Sequence, residues 1–166
     1  QSSILSAVVE NSLVDLKRIT RDWAIWDNTY AYASGEYPDY IRKHVAGTSL
    51  MSRYRLSVLA VMDLEGKALY TSFFDTEPNR SIPEPEGFRD FLAPYVQAAL
   101  QVHKPDSEAP QSDIGNDGFV IYQDKAYYLC VMPIQPSNEK SSPAGALFFG
   151  RTLGKEELTR LSRMEN

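Results

Sequence analysis

From Ile4 to Ala33 the chain holds neither proline nor glycine. Over the same stretch apolar side chains return at alternating spacings of four and three, at Leu5, Val9, Leu16, Ile19, Trp23, Trp26 and Tyr30, with Ser12 at the one place where a hydrophobe is missing. Such a spacing fits a helix and no strand. In a helix placed at residues 1–34, the run from Ile4 to Ala33 alone would span roughly 45 Å at about 1.5 Å of rise per residue, the scale of a whole small domain. The rest of the chain must then pack on this spine. The stripe can serve two purposes on different turns: a surface facing the core, and, along its first half, a contact with a second subunit, because near-heptad spacing suits helix pairing.

Past Gly35 and Pro38 the pattern weakens, and residues 35–55 read as helix and loop, with a helical stretch of mixed polarity over 39–53. The period then becomes that of strands. Residues 56–63 and 67–74 are β-rich and joined by Leu64-Glu65-Gly66, a hairpin signal. Residues 75–87, with Pro78, Pro83, Pro85 and Gly87 among charges, predict an irregular surface loop. Helical spacing returns over 88–103, where Pro94 is expected to kink or split the helix. Three more strands follow, at 118–123, 126–133 and 144–151; the first two are joined by a tight hairpin at Gln123-Asp124-Lys125, the last two by a longer polar loop. A final helix is expected over 154–166. Helices followed by strands in this order make an α+β domain around one antiparallel sheet filling residues 56–151. Val58, Ala60 and Met62 oppose Leu59 and Val61, and Leu147 and Phe149 oppose Ala146 and Phe148, so both faces of the sheet should be covered. The long helix suits one face. The helix and loop between the second and third strands suit the other, and that second interface is the place for a small pocket.

With 166 residues and 43% hydrophobic content, the chain can bury one core and not two. A net charge of −5 argues against nucleic acid as a partner, since phosphate binding needs clustered Lys and Arg. The lone cysteine, Cys130, excludes an internal disulfide, and no second Cys or His stands at zinc-ligand spacing. The chain begins at Gln1 without an initiator methionine, and its helical end carries no stop signal. A piece of a longer protein, continuing past Asn166, is the expectation.

Two strands, a helical crossover and three more strands is also the order of PAS-like domains, and a long leading helix resembles the Cache-type variant, with five to six antiparallel strands. The run Asp22-Trp23-Ala24-Ile25-Trp26-Asp27-Asn28-Thr29-Tyr30 resembles the signature of the type-four CHASE sensor domain, with Asn28 where the family has a second Asp. The likeness continues through Ala60-Val61-Met62-Asp63 and Gly66-Lys67, then Val131-Met132-Pro133-Ile134 and the run from Pro143 to Arg151. The resemblance implies an extracytoplasmic, periplasmic sensor held between two membrane-spanning helices of a bacterial receptor. Its output would be a diguanylate cyclase, a cyclic-di-GMP phosphodiesterase or a histidine kinase, and it would act as a homodimer on an unknown small-molecule ligand. The fragment itself is then not an enzyme.

On a continuous helix Trp23, Trp26, Asp27 and Tyr30 share one face and set a carboxylate beside three aromatics, a place for a ligand carrying an amine. The alternative is that the Trp rings plug the helix to the sheet while Asp27 or Asp22 bonds backbone amides or an Arg. Tyr122 and Tyr128, with Arg151, offer phenols and a guanidinium to an anionic or polar ligand. Strand alternation sends Tyr127 and Tyr128 to opposite faces, so only one of them can join Tyr122. Cys130 lies mid-strand as a small hydrophobe, His44 and His103 read as surface residues, and Gly115-Asn116-Asp117-Gly118 reads as a turn with no phosphate-cradling helix behind it. No catalytic residue, metal site or cofactor is indicated. Against the sensor stand a soluble binding protein, a protein-interaction or structural module without a ligand, and an enzyme, for which no convergent polar cluster is visible.

Overall fold

A computed structural model describes residues 2–75, 80–102 and 116–154, together with 159 and 163. The elements run α1 (Ser2–Ala24), α2 (Asp27–Ala33), a π-helical segment (Ile41–Ala46), α3 (Leu50–Arg53), β1 (Val58–Asp63), β2 (Ala68–Asp75), β3 (Arg80–Ile82), α4 (Phe88–Val102), β4 (Asn116–Tyr122), β5 (Lys125–Ile134) and β6 (Gly145–Thr152). The expected C-terminal helix over 154–166 and His103 lie outside the described residues, apart from Gly154, Thr159 and Arg163.

All six strands form one sheet in the order β3-β2-β1-β6-β5-β4, antiparallel throughout. Its two faces carry separate cores. On one, Leu59, Val61, Cys130, Met132, Leu147 and Phe149 meet Leu16, Ile19 and Ala24 of α1. On the other, Val58, Ala60, Val131, Ala146 and Phe148 meet Phe88, Leu92, Val96 and Ala99 of α4. Both faces are covered, as strands apolar on both sides require.

Four local expectations are corrected. The leading helix is two helices. Its last regular bond is Ile25 N–H to the Arg21 carbonyl at 2.9 Å; then Gln135 N–H takes the Ala24 carbonyl at 3.1 Å and Ile25 forms a parallel bridge with Gln135. Trp26 is extended (φ −147°, ψ 132°) and α2 starts anew at Asp27. Tertiary bonding to the end of β5 thus replaces helical bonding that local spacing alone would have continued. The irregular loop at 75–87 contains β3, whose Ser81 and Ile82 pair with Phe74 and Phe73; the residues between Pro78 and Pro83 keep their N–H groups and can lengthen the sheet. The helix α4 runs through Pro94 without a split. Pro94 forfeits one backbone bond, but Leu92, Val96 and Ala99 are buried on both sides of it and hold the helix to the sheet. Finally, Asn116-Asp117-Gly118 is not a turn but the start of β4. The hairpin after β4 turns through Gln123 and Asp124, both at positive φ (48° and 63°), the geometry of a tight two-residue turn.

Candidate ligand-sensing site

Strand alternation organises the site. On the β5–β6 ladder Tyr127 pairs with Thr152 and Tyr128 with Arg151. Successive residues point to opposite faces, so the first pair faces the α4 side and the second faces α1.

On the α1 side, Tyr128 is fully buried and its hydroxyl accepts from Ser12 Oγ at 3.0 Å. Arg151 is 4% exposed. Its Nε and Nη2 donate to the Tyr54 carbonyl at 3.1 and 2.8 Å, and it reaches Ser12 Oγ at 3.4 Å and Asp15 Oδ2 at 3.5 Å. One guanidinium therefore ties β6 to α1 and to the turn before β1. Asp15 also bonds Arg18 at 2.8 Å. Partial burial pushes the Asp15 carboxyl up, but Arg18 and Arg151 together outweigh it and hold it below the usual carboxylate range.

On the α4 side, Ser57, Asp75, Ile82, Lys125, Tyr127 and Thr152 line part of a cleft of about 50 Å³ between the end of β2 and the start of β5. Ser57 Oγ and Thr152 Oγ1 lie 3.1 Å apart, and Thr152 N–H donates to Ser57 Oγ at 3.1 Å. Tyr127 is 4% exposed, its ring set edge-on against Phe88 at 5.5 Å. Burial, with a smaller contribution from Tyr122, pushes its phenol above the usual value. A second, larger cleft of about 170 Å³ opens between Tyr95 of α4 and Asp117, Val120, Leu129 and Val131 of β4 and β5.

The residues singled out by sequence fall into three places. Tyr128 and Arg151 meet, on the α1 face. Tyr122 does not join them: it faces α4, packs on Phe91 at 4.8 Å and donates to the Glu86 carbonyl. The residue that shares its face is Tyr127. Trp23, Trp26 and Tyr30 are all half-buried against the α1-side core, with Trp23 and Trp26 edge to face at 5.4 Å. The break before Asp27 puts it in α2 with Tyr30, off the helix that carries Trp23; its carboxylate accepts the Ser137 N–H at 2.8 Å and fixes the loop after β5. Asp22 lies 3.8 Å from Arg18. These are the contacts of the packing alternative.

His44 is not a surface residue. Its ring is partly buried, 4.9 Å from Trp26 and 5.5 Å from Tyr40, and Nε2 lies 3.0 Å from the Tyr37 hydroxyl. Tyr40 is 1% exposed, bonds Thr29 Oγ1 at 2.7 Å, and burial pushes its phenol up to about 12. Burial likewise pushes the Cys130 thiol up to about 12, which makes it an inert core side chain.

Sequence reasoning missed Ser57, Lys125 and Thr152, and left open which of Tyr127 and Tyr128 joins Tyr122. The signal for Ser57 and Thr152 is a single hydroxyl at the end of an otherwise apolar strand. For the α1 side the signal was visible, since Ser12 fills the gap in the helical stripe and becomes the partner of Tyr128.

The sequence profile of the CHASE4 domain matches residues 8–166. No curated protein matches the sequence. Among solved structures, the extracellular domain of a candidate histidine kinase, vpHK1S-Z8, is similar at a TM-score of 0.58 and 14% identity. The match covers 96% of this chain and 57% of that one, so this chain spans little more than half its length.

Proposed function

This chain belongs to the CHASE4 family of extracellular sensory domains, and from that premise we propose that it detects a small molecule outside the cytoplasmic membrane of a bacterium. The signal would pass to a cytoplasmic diguanylate cyclase, cyclic-di-GMP phosphodiesterase or histidine kinase. The observation that carries this is the ladder of two adjacent residue pairs, with Tyr127 and Thr152 lining a cleft and Tyr128 and Arg151 bonded to α1. A molecule that reorders the first pair shifts β6 by the backbone it shares with the second. The guanidinium then carries that shift to Ser12 and Asp15 on α1. Such a ligand acts by favouring one arrangement over another, to the extent that it binds them with different affinity.

In this proposal the periplasm is the site of sensing, and membrane-spanning segments beyond α1 and β6 anchor the domain. No helix among the described residues is itself long and apolar enough to cross a membrane. A second copy would pair along the leading half of α1 to form a homodimer. Trp23, Trp26, Tyr30 and Asp27 would position the hinge between α1 and α2 rather than touch the ligand. Tyr128 and Arg151 would transmit the signal, and Tyr122 would brace the wall of the cleft.

A thermal-shift screen against amino acids, polyamines, organic acids and nucleosides tests the proposal. A ligand at about one hundred times its Kd adds roughly 2.7 kcal/mol to native stability, which raises Tm by about 5–11 °C for a domain of this size. Silence across the panel would favour the second reading, a protein-interaction module. One observation supports that reading: the outer strand β4 leaves Ile121 75% and Phe119 48% exposed.

A further inference from the structure

The cleft beside Tyr127 is rich in hydrogen-bond donors. Tyr127 is 4% exposed as a residue and lines the cleft; its hydroxyl makes no hydrogen bond among the described residues and is open to the cleft rather than sealed in the core, so its proton is available to a ligand. Ser57 and Thr152 contribute a second surplus donor. Ser57 Oγ already accepts the Thr152 N–H, and the two hydroxyls share one bond at 3.1 Å. Two hydroxyls hold two protons and that bond uses one, so whichever donates, the other proton is left to point elsewhere. Lys125 lies on the same face of β5, on the same wall of the cleft, and supplies a positive charge. The larger cleft lacks this character, since Asp117 is the only charged residue among the described residues of its lining.

We infer that the cleft formed by Ser57, Lys125, Tyr127 and Thr152 binds the carboxylate of a small organic acid or amino acid. The inference rests on the ligand-sensing proposal above and names the chemistry of its ligand. Ionised carboxylates accept at two oxygens and donate nothing, which complements two unused hydroxyl donors and an ammonium. Size agrees as well. About 50 Å³ is roughly three to five times the volume a single water needs by the same measure, enough for a three-atom head group with the remainder of the molecule reaching out of the mouth. Asp75 stands on the same cleft wall, so a free acid and an amino acid differ in what they place beside it: the acid brings no positive charge and the amino acid brings an ammonium.

The test is a thermal-shift and calorimetric titration of the whole chain with sodium acetate, sodium succinate, glycine and L-alanine, each compared with sodium chloride at the same ionic strength. Spermidine and adenosine serve as ligands without a carboxylate. At least one carboxylate should raise Tm where chloride does not. A response to acetate or succinate identifies a simple acid, and a response confined to glycine or alanine identifies an amino acid. Tyr127→Phe should weaken that binding about three- to tenfold, the loss of one hydrogen bond. It should leave the ligand-free Tm unchanged or higher, because the hydroxyl it removes has no partner among the described residues. Thr152→Val should weaken binding similarly, and Lys125→Met should remove most of its salt dependence. If spermidine or adenosine binds and Tyr127→Phe has no effect on it, the carboxylate assignment is overturned while the sensor proposal stands. If no compound binds, both fall.

Discussion

Replacing Arg151 with methionine keeps most of an apolar stem and removes a guanidinium that is 4% exposed. The wild-type group makes two short bonds to one acceptor, the Tyr54 carbonyl at 2.8 and 3.1 Å, and two long ones, to Ser12 at 3.4 Å and Asp15 at 3.5 Å. Bonds to a charged group contribute about 1.5–3 kcal/mol. The two short ones share an acceptor and count nearer to one, and the long ones add little. Against this, methionine escapes the cost of keeping a charge out of water, which can equal the gain. A net destabilisation of about 1–2 kcal/mol is expected, a fall in Tm of roughly 2–8 °C, read by urea denaturation and calorimetry. A cycle with Ser12→Ala should show the two changes to be non-additive, because they remove the same link. Asp15 supplies an independent readout: with Arg151 gone, its carboxyl, now held low, should titrate nearer the ordinary range by NMR. Since its folded pKa is depressed, its contribution is present above the unfolded value of about 3.9 and is lost as pH falls through the folded one. The difference between wild type and variant should therefore narrow in acid. A variant as stable as wild type, with Asp15 unmoved, would show that the guanidinium is a tolerated burden and not a tie between β6 and α1.

Tyr40→Phe should cost about 1–2 kcal/mol by urea denaturation, because it leaves the fully buried Thr29 hydroxyl without its 2.7 Å partner. With the Tyr40 phenol pushed up to about 12 against an unfolded value near 10, its share of stability is complete below about pH 10. That share is lost as pH rises through about 12, which an ultraviolet pH titration would follow. Asp27→Ala should leave ligand binding intact and speed hydrogen exchange at the Ser137 amide, whose acceptor it removes; loss of binding would return Asp27 to the ligand site. Cys130 should resist a thiol reagent in the native state and react on unfolding, because burial pushes its thiol up to about 12. Gly145→Ala should prevent formation of the β1–β6 ladder, since its Cβ would sit on the Met62 carbonyl oxygen, and the expected result is insoluble or unfolded protein by circular dichroism.

The strand pattern and the two covered faces were legible because alternation is a local property, and Val58 to Met62 and Ala146 to Phe149 carry it in consecutive residues. What escaped were features set by distant partners. Nothing within residues 20–30 signals that Gln135 will take the Ala24 carbonyl and end α1 there. The π-helical segment that places His44 among Trp26, Tyr37 and Tyr40 likewise depends on the core beneath it. The choice between Tyr127 and Tyr128 needed the register of β5 against β6, and register depends on two segments at once. Arg151 was identified as a charged residue of interest, but the Tyr54 carbonyl that holds it is backbone and leaves no mark in sequence.

That register also explains how a shallow cleft can influence a helix on the far side of a sheet. The proposed ligand contact at Thr152 and the helix contacts at Arg151 are one peptide apart on β6, at the end of the strand where the β5 register continues to Thr152 and the β1 register has stopped at Gly150. Converting a two-state element from one part in a hundred to ninety-nine takes roughly 5.5 kcal/mol of differential binding, which a carboxylate held by two or three donors, at about 1.5–3 kcal/mol each, reaches only if most of those bonds form in one arrangement and not in the other. A latch of about 1–2 kcal/mol is within its reach. On this balance a small ligand could release or secure the tie between β6 and α1 without disturbing either core, and the signal would be a graded change in that one contact rather than a refolding of the domain.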